Sequence, residues 1–276
     1  MRIFLTQPRS NAANFSSNLE WLRRTVEKSR VGFSSTDILL LPELFGGECR
    51  HAEYARLTSG LARELGCYVV AGSHHDQTKR QPINRGAVAD PGGAIISKYE
   101  KLRPYGIETK LGIAPGRTIG RFDAAGCHVL VLVCADFWYS AVLLSRLSPR
   151  PDVILVPTFS VSRRASPHVA RSLWNSMAVA RAYEFGAYVG ISDWAHPCEY
   201  HGLRSSSVAG LADPRAPASG GFFSRVGSRV IASYDIDLIR IRKLREDRTA
   251  TTFLSDETLT GDFLNRTKKA SSRARL

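Results

Sequence analysis

The sequence predicts an α/β protein, and three observations carry that expectation. Short apolar runs rich in leucine and β-branched residues alternate with longer stretches whose apolar residues return every three or four positions. One run, Val129-Leu130-Val131-Leu132-Val133, has no polar alternation, as expected of a strand covered by other layers on both faces. A hydrophobic share of 43% over 276 residues supplies a large core, with no linker-like shift in composition and no internal repeat, so one domain is expected.

The elements follow in order. Residues 1–6 read as a first strand, their apolar piece being too short for a signal peptide. Residues 11–29 read as a helix with Phe15, Leu19, Leu22 and Val26 on one face. A strand over residues 37–41 runs into Pro42-Glu43-Leu44-Phe45-Gly46-Gly47, and a helix over 52–65 precedes a strand over 67–72. Asp90-Pro91-Gly92-Gly93 is a turn between strands 86–89 and 94–99, and residues 101–108 form the loop beyond them. A second hairpin joins residues 118–122, through Asp123-Ala124-Ala125-Gly126, to the strand that ends at Cys134. The aromatic and polar residues after it open a helix over 137–147. A buried strand at 152–156, a loop at 157–166, a long helix at 167–185 and a strand at 187–192 come next. The pattern then weakens: strands at 206–210, 221–224 and 230–234 surround the turn Ala212-Asp213-Pro214, and residues 237–245 form a closing helix. The polar, basic residues 266–276 are expected to be a disordered tail, leaving a domain over 1–265.

Composition excludes several classes. No apolar run approaches the roughly 18 residues of a membrane span. Five cysteines, an odd number with no Cys-x-x-Cys pair, argue against a disulfide framework and a four-cysteine zinc site and favour a reducing cytoplasm. A net charge of +13 raises the question of nucleic acid. The arginines are scattered, however, and only Arg266, Lys268, Lys269, Arg273 and Arg275 cluster, so a solvated surface is the reading adopted. No glycine-rich phosphate motif follows a strand and no HExxH spacing occurs, so neither a cofactor nor a metal is expected. His74 and His75 are adjacent and would face opposite sides of a strand. A papain-like pair would need His128, His168, His196 or His201, and nothing singles one out.

Three reactive residues lie at or just past the ends of predicted strands: Glu43, Lys101 and Cys134. Strand ends are where sites collect in α/β sheets. Each alone has an ordinary reading, a solvated glutamate, a surface lysine and a small core cysteine. Together they can do nucleophilic work. A carboxylate takes the thiol proton, an ammonium stabilises thiolate and oxyanion, and the backbone N–H of Ala135 is a second oxyanion donor. Backbone N–H groups at the start of the helix after Cys134 are expected to help hold a thiolate.

These residues sit in motifs that resemble the nitrilase superfamily of carbon–nitrogen hydrolases, in an amidase-like branch. Pro42-Glu43, Ser97-Lys98-Tyr99-Glu100-Lys101-Leu102 and Val131-Leu132-Val133-Cys134-Ala135-Asp136 resemble the segments of the family's Glu–Lys–Cys triad. Pro115-Gly116, Ala180-Arg181-Ala182-Tyr183-Glu184 and Asp213-Pro214 fall in order at matching separations, so the likeness covers residues 2–245. The stretch Phe137-Trp138-Tyr139-Ser140 and the loop Thr158-Phe159-Ser160-Val161 depart from common family sequences, which leaves the substrate open.

The resemblance implies a four-layer α-β-β-α sandwich, with Glu43 as general base, Lys101 as oxyanion donor and Cys134 as nucleophile. It also implies a second glutamate, Glu108, that positions the lysine or a substrate amine. Pocket side chains are expected from Phe45, Tyr105, Trp138, Phe159 and Trp194. Arg181 and Glu184 read as a structural pair. The expected partner is a small-molecule amide or carbamoyl compound, and the chain is expected to pair with itself through the helix over 167–185. Acyl transfer to an amine, nitrile hydrolysis, or a non-catalytic basic protein that binds nucleic acid are the alternatives.

Overall fold

In the computed structural model the described residues are 1–254, apart from 13, 79–80, 145–147, 163–165 and 216–220. The basic tail over 266–276 and the domain end at 265 lie outside them.

The alternation of side chains along each strand decides the layering. In the strands Arg2–Thr6, Ile38–Leu40 and Tyr68–Val70, one set of residues (Ile3, Leu5, Ile38, Leu40, Val70) joins one core. The intervening set (Phe4, Leu39, Val69) joins another. The first core also holds Val129, Leu130, Val131 and Ile154 to Val156 from a second sheet, so the two sheets face each other across it. A side chain at Gly190 would meet Leu5 of the opposite sheet at 3.2 Å. The second core lies beneath the helices Phe15–Ser29 and His51–Leu65, which contribute Phe15, Leu19, Leu22, Tyr54 and Leu61. On the far side, the helix His168–Phe185 lays Trp174, Ala178, Ala182 and Phe185 on the second sheet. The result is the expected α-β-β-α sandwich.

The first sheet runs Ile231–Asp235, Arg2–Thr6, Ile38–Leu40, Tyr68–Val70, Ile83–Ala89, His74–Asp76, Glu48–Cys49, with Ile95–Glu100 also paired to Ile83–Ala89. The second runs Phe223–Arg225, Gly210–Ala212, Tyr188–Ser192, Val153–Pro157, Cys127–Val131, Gly120–Ala124. Its three central strands are parallel, in register Leu155 with Val131 and with Gly190. Strand ends of the two sheets are clasped by polar groups: the Ser192 hydroxyl donates to Leu40 O at 2.8 Å and accepts from Thr6 N at 2.9 Å.

Several expected elements differ. The hairpin turn is only Ala125-Gly126, because Asp123 pairs with His128 and both turn residues take positive φ, 50° and 78°. The helix expected over 137–147 is instead a 3-10 turn Cys134–Trp138 and a short helix Ser140–Leu144, with 145–147 outside the described residues. No strand spans 206–210: the Ser206 and Val208 N–H groups donate to Ser160 Oγ and Asp193 Oδ2 instead of a ladder. The expected strands leave out His74–Asp76, whose polar residues carry no apolar signature; it is a strand, with the two histidines on opposite faces as adjacent strand residues require. No helix of the described residues is long and apolar enough to cross a membrane.

Candidate active site

Glu43 follows the strand Ile38–Leu40 in a tight turn, where Leu44 has φ 61°. The turn is held from behind. Leu44 N donates to Ser73 Oγ at 3.0 Å, and Gly72, at φ +71°, passes so close that a Cβ there would lie 2.0 Å from Pro42 O. Trp194 Nε1 donates to Glu43 O at 2.7 Å, and Phe45 stacks on Trp194 at 5.7 Å. Phe45 and Trp194 are therefore not pocket residues. Both are fully buried and neither lines the cavity beside Cys134; Trp194 backs the lining residue Phe159, 6.5 Å away, because large aromatic side chains beside a strand end fill the core that supports it.

The Glu43 side chain, 2% exposed, points into a buried polar centre. Its Oε1 accepts from Lys101 Nζ at 2.6 Å and Asn84 Nδ2 at 2.9 Å, and its Oε2 from Phe159 N at 2.9 Å. Lys101, past the strand Ile95–Glu100, also donates to Glu108 Oε2 at 2.5 Å. Burial opposes the charge on Lys101, but Glu43 and Glu108 outweigh it and lift the ammonium well above the usual lysine range. Burial likewise opposes charge on Glu108, yet Lys101, His75 and Asn84 bring its carboxyl down to about 2. Asn84 Nδ2 spans the two glutamates, 2.9 Å from Glu43 and 2.7 Å from Glu108.

Cys134 opens the 3-10 turn with φ 45°, a left-handed conformation that a side-chain-bearing residue adopts at a strain of roughly 1–3 kcal/mol. That bend leaves Sγ at the edge of a cavity of about 460 Å³. The thiol lies 3.8 Å from Phe159 O and within hydrogen-bonding reach of Glu43. Burial, then the charge of Glu43, push the thiol well above its ordinary range, against the pull of Lys101. These surroundings favour the thiol, beside an acceptor, over the thiolate expected at a helix start. The turn is tied to the lysine loop by Asp136, which accepts from Leu102 N and Arg103 N, both at 2.9 Å.

Of the residues singled out in the sequence, Glu43, Lys101, Glu108 and Cys134 converge here, and Tyr105, Ala135, Trp138 and Phe159 line the cavity with Cys134. Sequence reasoning missed Asn84, and weighed His75 only as a metal ligand. His75 Nε2 lies 3.4 Å from Glu108 Oε1, and its Nδ1 lies 3.0 Å from the Tyr200 hydroxyl. The available signal for both was a polar residue in a position that strand alternation turns inward. Asp193, also missed, accepts from Ser160 N at 3.0 Å and Val208 N at 2.8 Å, fixing the loop that carries Phe159. Among the described residues no group of three His, Cys, Asp or Glu side chains is arranged to hold a metal ion.

The model for the carbon-nitrogen hydrolase family matches residues 2–215. The chain belongs to that family. Among curated relatives, this hydrolase is 26% identical to an omega-amidase of Xenopus tropicalis over 229 residues, covering 76% of this chain and 79% of the relative. The human omega-amidase is 24% identical over the same shares. Among solved structures, an amidase from Nesterenkonia, with acrylamide added to its active-site cysteine, superposes with a TM-score of 0.66 at 20% identity, covering 92% of this chain and 100% of that one. A CN-hydrolase superfamily protein of Xanthomonas campestris gives 0.72 at 20% identity, over 91% and 95% of the two chains. At these identities the solved structures bear on the fold, which they share with the hydrolase. The chain is an enzyme acting on carbon–nitrogen bonds other than peptide bonds.

Proposed function

We propose that the hydrolase cleaves the C–N bond of a small amide or carbamoyl compound through a thioester on Cys134. The observation that carries this reading is the meeting of a buried thiol, a carboxyl acceptor and an ammonium at the edge of one cavity. The names of the omega-amidase and amidase relatives support the amide as substrate.

In the first half-reaction Glu43 takes the Sγ proton as sulfur attacks the acyl carbon. The carbonyl π pair moves to oxygen, and the oxyanion is met by Lys101 Nζ and by the N–H of Ala135. Lys101 has three N–H donors, of which Glu43 and Glu108 occupy two, leaving one for this oxygen. The C–N bond then breaks and Glu43 returns the proton to the departing amine. In the second half-reaction Glu43 takes a proton from water as it adds to the thioester. Collapse expels sulfur, which recovers the proton from Glu43, and releases the acid. Glu108 holds Lys101 and keeps the centre anionic enough for base chemistry. General-base transfer of this kind contributes roughly 10²–10⁴-fold.

A single catalytic domain over residues 1–265 and a cytoplasmic setting complete the reading. Self-association through the helix His168–Phe185 is supported by Val169 and Tyr183, exposed apolar residues on its outer side.

Intact-protein mass spectrometry with a panel of amides and carbamoyl compounds tests the chemistry. A mass increase equal to the acyl group, mapped to Cys134 and absent from Cys134→Ala, is expected. Turnover by Cys134→Ala at the wild-type rate would overturn it.

A further inference from the structure

The cavity beside Cys134 is far larger than a simple amide requires, and its walls have a definite character. At about 460 Å³ it falls within the range of roughly 300–1,000 Å³ that accommodates drug-sized ligands. Trp138 and Trp174 meet edge to face at 5.3 Å and 83°, and Phe137 lies parallel behind Trp174 at 6.1 Å and 7°. Phe159 forms part of the wall and packs on Tyr200 at 5.8 Å. Aromatic groups locked to one another in this way give a rigid apolar slot rather than an adaptable surface.

Polar recognition is scarce along the same wall. None of the described lining residues carries a charge. The Ser160 hydroxyl, which lines the cavity, is already committed: it donates to Asp193 Oδ2 at 2.5 Å and accepts from Ser206 N at 3.0 Å. The reactive centre itself holds two carboxyl side chains against one ammonium, and that ammonium contacts both of them. A substrate carboxylate reaching the aromatic part of this cavity would lose its hydration with no charged lining side chain to replace it; the described cation Arg103, beside the wall, is stacked on the Tyr139 ring at 4.1 Å.

We propose that the hydrolase selects amides whose acyl group ends in an aromatic ring, seated between Trp138, Phe159 and Trp174. This deepens the reaction proposed above and rests on Cys134 as the point of acylation. The acyl carbon sits at Sγ, and the ring occupies the slot beside the helix His168–Phe185. Selectivity then comes chiefly from apolar burial, and among the described lining residues no charged side chain offers an acidic acyl group a partner.

Three probes of one scaffold test this: 3-phenylpropanamide, propanamide and succinamic acid, which carry a ring, nothing and a carboxylate. Calorimetric titration of Cys134→Ala measures binding, and ammonia release by the wild-type protein measures turnover. Burying the ring is expected to favour 3-phenylpropanamide over propanamide by about 10- to 100-fold in Kd and kcat/KM. Succinamic acid is expected to bind no better than propanamide. Leu173→Arg, at a half-exposed position of the wall, is expected to shift the preference toward succinamic acid. Equal binding of the ring-bearing and short amides, or tighter binding of succinamic acid by the parent site, would overturn the proposal. Ring-selective binding with no turnover and no adduct would leave the specificity standing and sink the reaction; turnover without ring preference would do the reverse.

Discussion

His74 and His75 are neighbours on one strand and enter two buried clusters of ionisable groups that have opposite fates. His74 faces the helix His51–Leu65, where its ring stacks on Tyr54 at 4.1 Å and on His51 at 5.4 Å. Both ring nitrogens of His51 and the Nε2 of His74 have no hydrogen-bond partner among the described residues. Burial pulls His51 down to about 4 and His74 down to about 3, so both are neutral. His75 faces the other way, toward Glu108, whose oxygens accept from Lys101, Asn84 and Tyr105 N and lie within reach of His75. There burial is as deep, yet the charged forms of Lys101 and Glu108 are favoured by each other. Burial alone discharges a group; burial with matched partners holds the charge where chemistry needs it.

The most severe way to break this contrast is Lys101→Met. It leaves Glu43 and Glu108 buried without their shared cation, and removing one member of a buried pair costs about 3–5 kcal/mol. Thermal unfolding is expected to show a midpoint lowered by about 6 °C or more. Adding Glu108→Gln should restore part of the loss without restoring activity. Full stability in the single variant would show that the cluster is not held by charge.

The two histidines offer a finer comparison. His75→Phe removes a partner of Glu108 and is expected to lower kcat about 10-fold, through a less firmly placed Lys101, with KM little changed. His74→Phe, one residue away but on the outer face, is expected to leave kcat at the wild-type value. Steady-state kinetics on both variants distinguish the faces, and equal losses would refute the assignment.

A third comparison concerns acid, where opposing groups leave only a difference in slope to be read. The ordinary histidine value is 6.5, whereas His51 and His74 take up protons in the folded state only near 4 and 3. As pH falls below 6.5 the unfolded chain binds protons first, so stability present at neutral pH is lost progressively through that window. Glu108 adds to the loss only below its ordinary value of 4.5. Buried Asp136, raised to about 6, and Asp193, raised to about 7, act in the opposite sense and are shared by any histidine variant. Denaturant midpoints between pH 6.5 and 4.5 should therefore fall less steeply in His51→Phe/His74→Phe than in the wild-type protein. Parallel curves would mean these rings are not neutralised by burial.

Much of the fold was legible because it rests on local periodicity. The helices His51–Leu65 and His168–Phe185 start within one residue of the expected spans and Phe15–Ser29 within four, and all three end where expected, since their apolar faces repeat every turn. The closing helix runs further than expected, Leu238–Ala250, capped by Asp237, whose side chain accepts from Arg240 N. What failed were elements whose identity depends on distant partners. His74–Asp76 becomes a strand only because Ile83–Ala89 and Glu48–Cys49 pair with it. Residues 206–209 leave the ladder because buried Asp193 and Ser160 take their N–H groups. Phe45 was expected in the pocket as a loop residue, but the direction of its ring is set by Phe15 and Trp194.

The amino-acid sequence by itself determined the alternation of strands and helices and which reactive residue types stand at strand ends, since both are written in neighbouring positions. Only the tertiary structure decided that Glu43 and Lys101, 58 positions apart, share a hydrogen bond, and that Phe159, 116 positions from Glu43, supplies a backbone donor to it. It also decided that the cysteine is buried in surroundings that favour the thiol, and that an aromatic slot opens beside it. The reason is that charge, burial and cavity shape are properties of space, summed over segments far apart in the chain, and two packed sheets bring those segments to one place.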